Sequence, residues 1–238
     1  MIRFHLVTLF KEACEPYLTA SILGRAREKK LIAVDYQNPR DYVDLPRLAS
    51  GKAGKKWAYR KVDERPYGGG PGMVMQAMPI VKATEKALGK KKGSKVIIWF
   101  RPGAKQFDNK EADKLAKYDD IAFVCGRYEG IDERALKILK TIGAGSPVGL
   151  RPRVKTYAVG EAVYTGGEVP ALAMIDAISR RIPGVLGKFD SVEENRVASR
   201  AVYTRPETIL YKGKKLRVPK VLQTGHHANI AAWKSKKQ

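Results

Sequence analysis

The sequence predicts an α/β fold built on a parallel sheet. Two short apolar runs rich in β-branched or aromatic residues, KVIIWF at 95–100 and DIAFVC at 120–125, are separated by the helical stretch NKEADKLAKY at 109–118. A strand, a helix and a second strand in this order form the unit from which parallel sheets are built. The chain has 238 residues, 44% of them hydrophobic, which suffices for one large domain or a domain with a small appendage.

Two more strands are predicted before this unit. Residues 2–9 alternate, with Ile2, Phe4 and Leu6 opposed to Arg3 and His5, as in a strand with one buried face. A helix is expected to follow and to end near RAREKK at 25–30, and LIAVDY at 31–36 indicates a second strand. The polar, glycine-bearing segment 38–72 is long for a loop, which favours function or mobility there.

Three further helices are predicted. The stretch MPIVKATEKALGKKKG at 78–93 carries Pro79 in its first turn, lysines towards its C-terminal end and Gly93 after it, as helix ends favour. A second helix is expected after Asp132 and Glu133, and a third stops at IPG at 182–184. Both have apolar residues at helical spacing, namely Ile131, Ala135, Ile138, Leu139 and Ile142 in one and Leu172, Ile175, Ile178 and Ile182 in the other.

The charge of the chain points to a polyanionic partner. Lys and Arg number 46 against 24 Asp and Glu, a formal net charge of +22, which favours a nucleic acid over a merely well-solvated protein. No apolar stretch has the length of a membrane span or the pattern of a signal peptide. Cys14 and Cys125 form no metal-binding pair, so zinc is not expected, and two free thiols fit a reducing cytoplasm.

The C-terminal part breaks the periodic pattern. KFDSVEENRVASRAV at 188–202 is charged and aperiodic and is interpreted as an interdomain linker, where Glu193 and Glu194 would ordinarily be solvated. Residues 1–187 are then the main domain, and 203–238 are a small C-terminal domain too short for a full core. Tyr203, at the end of the linker, is suited to anchoring it through its ring.

Four glycine-bearing motifs stand out: RPYGGGPGM at 65–73, CGRYEGIDER at 125–134, VGEAVYTGGEVP at 159–170 and SRRIPGVLG at 179–187. None is a phosphate-binding loop or a dinucleotide fingerprint. Each alone favours a tight turn, but three follow a predicted strand or helix end, where an α/β sheet places its ligand crevice. Glu129, which follows the predicted strand DIAFVC, is either a surface carboxylate or a substrate contact. Arg180 is four residues beyond Asp176, which by spacing favours an ordinary surface salt bridge.

In this order and combination, together with YTRPE at 203–207, the motifs resemble the bacterial tRNA (guanine-N1)-methyltransferases that act at position 37, a family of knotted methyltransferases. The resemblance covers nearly the whole chain. It implies a parallel sheet with helices on both faces, a C-terminal deep trefoil knot that general topology rules disfavour, and a small, mainly helical C-terminal domain that binds tRNA. It also implies a homodimer with the active site between subunits.

The resemblance further implies S-adenosylmethionine as the cofactor, bound by three loops at Trp99 to Ala104, Gly126 to Gly130 and Val159 to Gly167. The cofactor-binding residues it indicates are Trp99, Phe100, Pro102, Gly126, Tyr128, Glu129, Val159, Gly160, Glu161, Ala162, Val163, Tyr164, Gly166 and Gly167. The RNA-binding residues it indicates are Gly69, Gly70, Pro71, Gly72, Arg180 and Asn195. Magnesium is implied only by the resemblance.

The chemistry requires a base and a cation. Guanine N1 carries a proton at neutral pH, so its attack on a sulfonium methyl group needs a general base and in-line positioning. Negative charge then builds on O6, where an arginine stabilises the transition state. The target guanine must also leave its stack in the RNA. Family members use an aspartate of the linker and an arginine before IPGVLG, and Arg180 matches the arginine.

The sequence departs from the family in four places. Ungapped counting puts Asn195 at the position of the aspartate, so Glu194 is preferred as the base over Glu193 or Asp190. The first loop reads FRPGA instead of a Ser-Pro-x-Gly pattern, GAGSPVGLRPRVK at 143–155 is interpreted as an insertion, and the chain ends soon after Trp233. The alternatives to methylation of guanosine 37 are a noncatalytic RNA-binding protein and a ribosomal RNA methyltransferase on the same scaffold.

Overall fold

The computed structural model describes residues 1–44, 60–89, 93–142, 152–186 and 201–235. The chain divides into two compact units, residues 1–185 and 186–238. Most of the segment interpreted as a linker, together with Glu193, Glu194, Asn195 and Asp190, lies outside the described residues, as does most of the 143–155 segment.

The first unit is an α/β structure. Its strands are β1 (Ile2–Val7), β2 (Ile32–Gln37), β3 (Asp63–Glu64), β4 (Val74–Met75), β5 (Lys95–Gln106), β6 (Asp120–Val124) and β7 (Arg153–Ala158). Its helices are α1 (Lys11–Thr19), α2 (Ser21–Glu28), α3 (Ala77–Leu88), α4 (Asn109–Leu115), α5 (Glu133–Thr141) and α6 (Glu168–Ser179). No helix in the described part of the chain is long and apolar enough to cross a membrane.

Five strands form the central sheet in the order β2-β1-β6-β5-β7. Every neighbouring pair is parallel, which confirms the parallel sheet predicted from KVIIWF and DIAFVC. Because all five strands run the same way, their carboxyl ends meet at one edge, the usual place for a ligand crevice.

Helices cover both faces of the sheet, and the strand residues alternate between the two cores. Phe4, Val96, Ile98, Ile121 and Phe123 pack on one face with α1, α2, α4 and α6. Ile97, Trp99, Ala122 and Val124 pack on the other with α3 and α5. This alternation explains why β5 and β6 read as continuous apolar runs.

The structure corrects three predicted boundaries. β5 does not end at Phe100 but continues to Gln106, with a shift of register against β7 between Phe100 and Lys105. The segment 38–72 contains a 3-10 turn at Pro39–Tyr42 and strand β3, which pairs antiparallel with β4. Residues 153–155, assigned by sequence to an insertion, begin β7, because they pair with β5.

The second unit contains a hairpin and a helix. Strands β8 (Thr208–Tyr211) and β9 (Lys214–Arg217) pair antiparallel, and α7 (His227–Ser235) follows a 3-10 turn at Lys220–Gln223. The expected mainly helical domain therefore includes β structure in its described part. Tyr203 is half-exposed and its ring packs on Trp233 with 6.1 Å between centroids.

Candidate active site

A cavity of about 360 Å³ opens at the carboxyl ends of β5, β6 and β7. Segments from all three predicted cofactor loops form its wall, because each loop follows or interrupts one of these strands. The lining residues are Phe100, Arg101, Pro102, Gly126, Arg127, Tyr128, Glu129, Gly130, Tyr157, Ala158, Val159, Ala162, Val163, Tyr164, Thr165, Gly166, Gly167 and Pro170.

Three of the residues expected to bind the cofactor do not line this cavity. Trp99 is only 4% exposed and packs in the core shared with α3 and α5. Gly160 and Glu161 lie in the third loop, where the carbonyl of Gly160 accepts a hydrogen bond from Gln106 Nε2 at 3.1 Å. Three lining residues lie outside the predicted loops, namely Tyr157 and Ala158 at the end of β7 and Pro170 in the first turn of α6. The apolar run from Tyr157 to Val159 was the available signal for the first two.

The first loop is a bulge within β5 rather than a free loop. β7 pairs with Phe100 before the bulge and with Lys105 after it, so residues 101–104 are the extra residues of β5. Bulges next to active sites redirect side chains. At the bulge, Arg101 forms an ion pair of 2.6 Å with Glu133 in the first turn of α5. Arg101, which belongs to the FRPGA segment that departs from the family pattern, thus connects the first loop to α5, the helix that follows the second loop.

The second loop requires left-handed backbone. Gly130 has φ of +117° and Tyr128 has φ of +59°, and a positive φ is costly for a residue with a side chain. The amide of Glu129 donates to the carbonyl of Met73, and the amide of Met75 donates to the carbonyl of Gly130. These bonds bring RPYGGGPGM to the second loop.

The glycines of RPYGGGPGM keep the backbone open beside this loop. Gly69, Gly70 and Gly72 all have positive φ. A Cβ added to Gly72 would lie 2.8 Å from the Glu129 carboxylate, whereas one added to Gly69 or Gly70 would meet nothing within 4 Å. A side chain at Gly72 would therefore displace the exposed carboxylate of Glu129, and the other two glycines leave space at the surface.

The third loop packs directly on the second. The amide of Gly167 donates to the carbonyl of Gly126 at 2.9 Å. A Cβ on Gly167 would lie 2.6 Å from Cα of Cys125, and one on Gly166 would lie 2.6 Å from the carboxylate of Glu168. Only glycine allows this approach, because core packing leaves no room for another carbon.

A buried carboxylate joins the loops behind the cavity. Glu168, in the first turn of α6, accepts a hydrogen bond from the hydroxyl of Thr8 at 2.7 Å. Its other oxygen lies 3.2 Å from Nε of Arg127, and the guanidinium of Arg127 lies over the ring of Phe10 at 4.4 Å. The carboxyl ends of β1 and β6 are thereby fixed to the start of α6.

Arg180 lies at the C-cap of α6 and is partly exposed. The surface salt bridge favoured by its spacing from Asp176 is not formed: the Asp176 carboxylate accepts a hydrogen bond from the hydroxyl of Tyr17 at 2.7 Å. Within the described ranges, the Arg180 guanidinium makes no ion pair or hydrogen bond, so it remains available to a ligand. The expected bases lie outside these ranges.

The two cysteines are unsuited to nucleophilic chemistry. Burial raises the pKa of the Cys14 thiol to about 11, and burial raises the pKa of Cys125 well above its usual range. Neutral thiols are poor nucleophiles and poor metal ligands. Among the residues that the structure describes, no three His, Cys, Asp or Glu side chains converge as a metal site would require.

Comparison with known proteins identifies the family. Residues 2–238 match the family model described as tRNA (Guanine-1)-methyltransferase TrmD. A tRNA (guanine-N(1)-)-methyltransferase of Campylobacter jejuni subsp. jejuni is 37% identical, covering 98% of this chain and 91% of the relative. Proteins of the same name from Vibrio campbellii and Vibrio cholerae are 35% and 36% identical, each covering 97% of this chain and 83% of the relative. The chain belongs to the tRNA (guanine-1)-methyltransferase family.

Proposed function

We propose that this protein transfers the methyl group of S-adenosylmethionine to N1 of guanosine at position 37 of tRNA, in the cytoplasm. The observation that carries the proposal is the convergence of three glycine-bearing loops on one cavity at the carboxyl edge of the parallel sheet. RPYGGGPGM is hydrogen-bonded to the second of these loops. The family match over 2–238 supplies the reaction class.

The cavity fits the cofactor chemically. Its volume of about 360 Å³ lies within the roughly 300–1,000 Å³ typical of small-molecule sites. Phe100, Tyr128 and Tyr164 offer aromatic faces suited to an adenine ring, and four lining glycines let a ligand reach backbone amides. Glu129 supplies a carboxylate for the positive charges of the methionine part. When bound, S-adenosylmethionine supplies an electrophilic methyl group on a sulfonium.

The proposed catalytic groups act on the guanine. Glu194 accepts the N1 proton as general base, with Asn195, Glu193 and Asp190 as the competing positions. Arg180 donates hydrogen bonds to O6, where negative charge develops as the proton leaves. The partial exposure of Arg180 and its lack of a partner within the described ranges support this role, since an arginine already held by a carboxylate would be a weaker donor.

The RNA is proposed to lie on the side of the RPYGGGPGM segment. A second cavity of about 920 Å³ borders it, and its lining includes Arg65 and the ring of Tyr67. Lys61 and Arg134 also line it, but they pair with Glu64 and Asp132 of the same wall, so Arg65 is the main candidate for a phosphate contact. Tyr67 is 99% exposed. Cations that contact phosphates and an aromatic ring that stacks on a nucleobase are the usual elements of single-strand recognition. This surface is connected to Glu129 by Gly69, Gly70, Pro71 and Gly72.

The finer architecture is also part of the proposal. Val163, Val169 and Tyr128 are each more than half exposed around the cavity, and such apolar groups support a homodimer whose second subunit covers this edge. The trefoil knot is proposed from the family match over residues 2–238. The C-terminal unit is proposed to bind tRNA. A requirement for Mg²⁺ is proposed only from the resemblance to the family, and no step is assigned to it.

A methylation assay tests the function directly. The protein is incubated with S-adenosylmethionine and unmodified tRNA transcripts carrying guanosine or adenosine at position 37, and primer extension maps the product. A methyl group on N1 blocks base pairing, so extension should stop one nucleotide before position 37 only in the guanosine transcript. Absence of cofactor binding, or a methyl group on another atom or on ribosomal RNA alone, overturns the proposal.

A further inference from the structure

The arginines in the cavity wall have acidic partners that lie outside the cavity. Arg101 pairs with Glu133 at 2.6 Å, and Arg127 pairs with Glu168 at 3.2 Å. Among the described residues, the charged members of the lining are Arg101, Arg127 and Glu129, which together carry a net charge of +1. The carboxylates of Glu133 and Glu168 change this to −1, so residues behind the wall reverse the sign of its charge.

The two carboxylates differ in how strongly solvent screens them. The side chain of Glu133 is 53% exposed and that of its partner Arg101 is 50% exposed, so this pair contributes little. The side chain of Glu168 is 5% exposed, and it lies in the first turn of α6, where the helix dipole stabilises negative charge. Glu168 therefore dominates the charge behind the cavity.

Packing fixes the buried pair in one arrangement. A Cβ on Gly166 would lie within 2.7 Å of both the Glu168 carboxylate and the Arg127 side chain. The hydroxyl of Thr8 holds the other carboxylate oxygen, and the Phe10 ring lies under the guanidinium. The carboxylate is thus held against an arginine that stays charged in proteins.

We propose that Glu168 is a positioning residue that makes the cavity prefer a sulfonium over a neutral thioether, by neutralising Arg127. The inference rests on the proposed function, because it takes S-adenosylmethionine as the occupant. Methyl transfer converts the sulfonium into the thioether of S-adenosylhomocysteine. A cavity wall of net negative charge increases the affinity for S-adenosylmethionine, which carries the positive sulfonium. It does not increase the affinity for S-adenosylhomocysteine, whose thioether is neutral, and this difference favours product release.

The experiment compares the two ligands on the same variants. Calorimetry measures dissociation constants of the full-length protein for S-adenosylmethionine and S-adenosylhomocysteine, and the readout is their ratio. Two unit charges about 10 Å apart change an equilibrium about fourfold at an effective dielectric constant of about 40. Glu168→Gln, which removes the charge at nearly constant shape, should therefore shift the ratio about fourfold against S-adenosylmethionine. A loss of packing alone would weaken both ligands equally.

Matched variants separate charge from shape. Glu168→Asp keeps the charge but shortens the side chain, so it should weaken both ligands and keep the ratio. Arg127→Gln leaves the carboxylate without its cation and should shift the ratio in the opposite direction, and it provides the test should Glu168→Gln fail to fold. Glu133→Gln, at the exposed pair, should shift the ratio by less than about twofold.

The outcomes distinguish this inference from the proposed function. If the unmodified protein binds neither ligand, the proposed function is wrong and the inference falls with it. If it binds both and Glu168→Gln weakens both to the same extent, or Arg127→Gln shifts the ratio in the same direction as Glu168→Gln, the inference alone is wrong.

Discussion

Gly167→Ala tests the contact on which the shape of the cavity depends. Gly167 has φ of −79° and ψ of −6°, a conformation that alanine adopts without strain, so the effect of the substitution is steric. The added Cβ would lie 2.6 Å from Cα of Cys125 and 3.1 Å from the amide nitrogen of Gly126. Carbon atoms normally approach to about 3.5–4.0 Å, so the two loops must separate by about 1 Å.

Cys125, on the strand side of this contact, cannot move away from the added carbon. Cys125 is fully buried after the central strand β6, so the third loop must move and stretch the hydrogen bond from Gly167 to Gly126. Overpacking a well-packed site costs about 1–3 kcal/mol, and a weakened hydrogen bond adds about 0.5–1.5 kcal/mol. We expect the free energy of unfolding to fall by about 2 kcal/mol and the dissociation constant for S-adenosylmethionine to rise at least about tenfold.

Urea unfolding followed by circular dichroism measures the first quantity, and calorimetry measures the second. Gly103→Ala is the matched control, because a Cβ there meets nothing within 4 Å and the backbone has no positive φ. Its free energy of unfolding should stay within about 0.5 kcal/mol of the unsubstituted protein. If Gly167→Ala matches the unsubstituted protein in both measurements, the close approach of the two loops is refuted.

Four further substitutions test the catalytic and structural assignments. Arg180→Met should lower kcat about 10²–10³-fold while leaving the dissociation constant for S-adenosylmethionine nearly unchanged, as loss of an oxyanion donor does; equal losses in both would place Arg180 in cofactor binding. Glu194→Gln should abolish most single-turnover methylation while Asn195→Ala retains it, and the reverse result would reassign the base. The pKa of Glu111 lies far below its ordinary value of 4.5 because three groups donate hydrogen bonds to it, from Lys105, Lys114 and Tyr157. A carboxylate whose pKa is lowered by folding stabilises the fold at pH values above its ordinary pKa, and this stabilisation is lost as the pH falls. Glu111→Gln should therefore lower the free energy of unfolding at pH 7, as measured by urea unfolding, and the difference from the unsubstituted protein should shrink below about pH 4.5. A difference that does not change with pH would contradict the assignment.

Local sequence patterns were sufficient to predict most elements of the first unit. β5 and β6 were identifiable because both of their faces are buried, which produces continuous apolar runs, and α5 was identifiable because one of its faces is buried. The bulge in β5 could not be predicted from KVIIWF, because it arises where β7, some 50 residues later, changes register against Phe100 and Lys105. β3 was missed because two paired residues leave no periodic pattern.

The sequence by itself determined the family, the three loop segments and Arg180, since these depend on which residues occur and in what order. Tertiary structure decided what those residues contact. Trp99 lies in the core instead of in the cavity wall, and the Asp176 carboxylate accepts a hydrogen bond from Tyr17 instead of pairing with Arg180. Tertiary structure also set a buried carboxylate at Glu168 behind Arg127. Contacts between residues as distant as Thr8 and Glu168 depend on strand order and loop packing, which residue spacing along the chain does not encode.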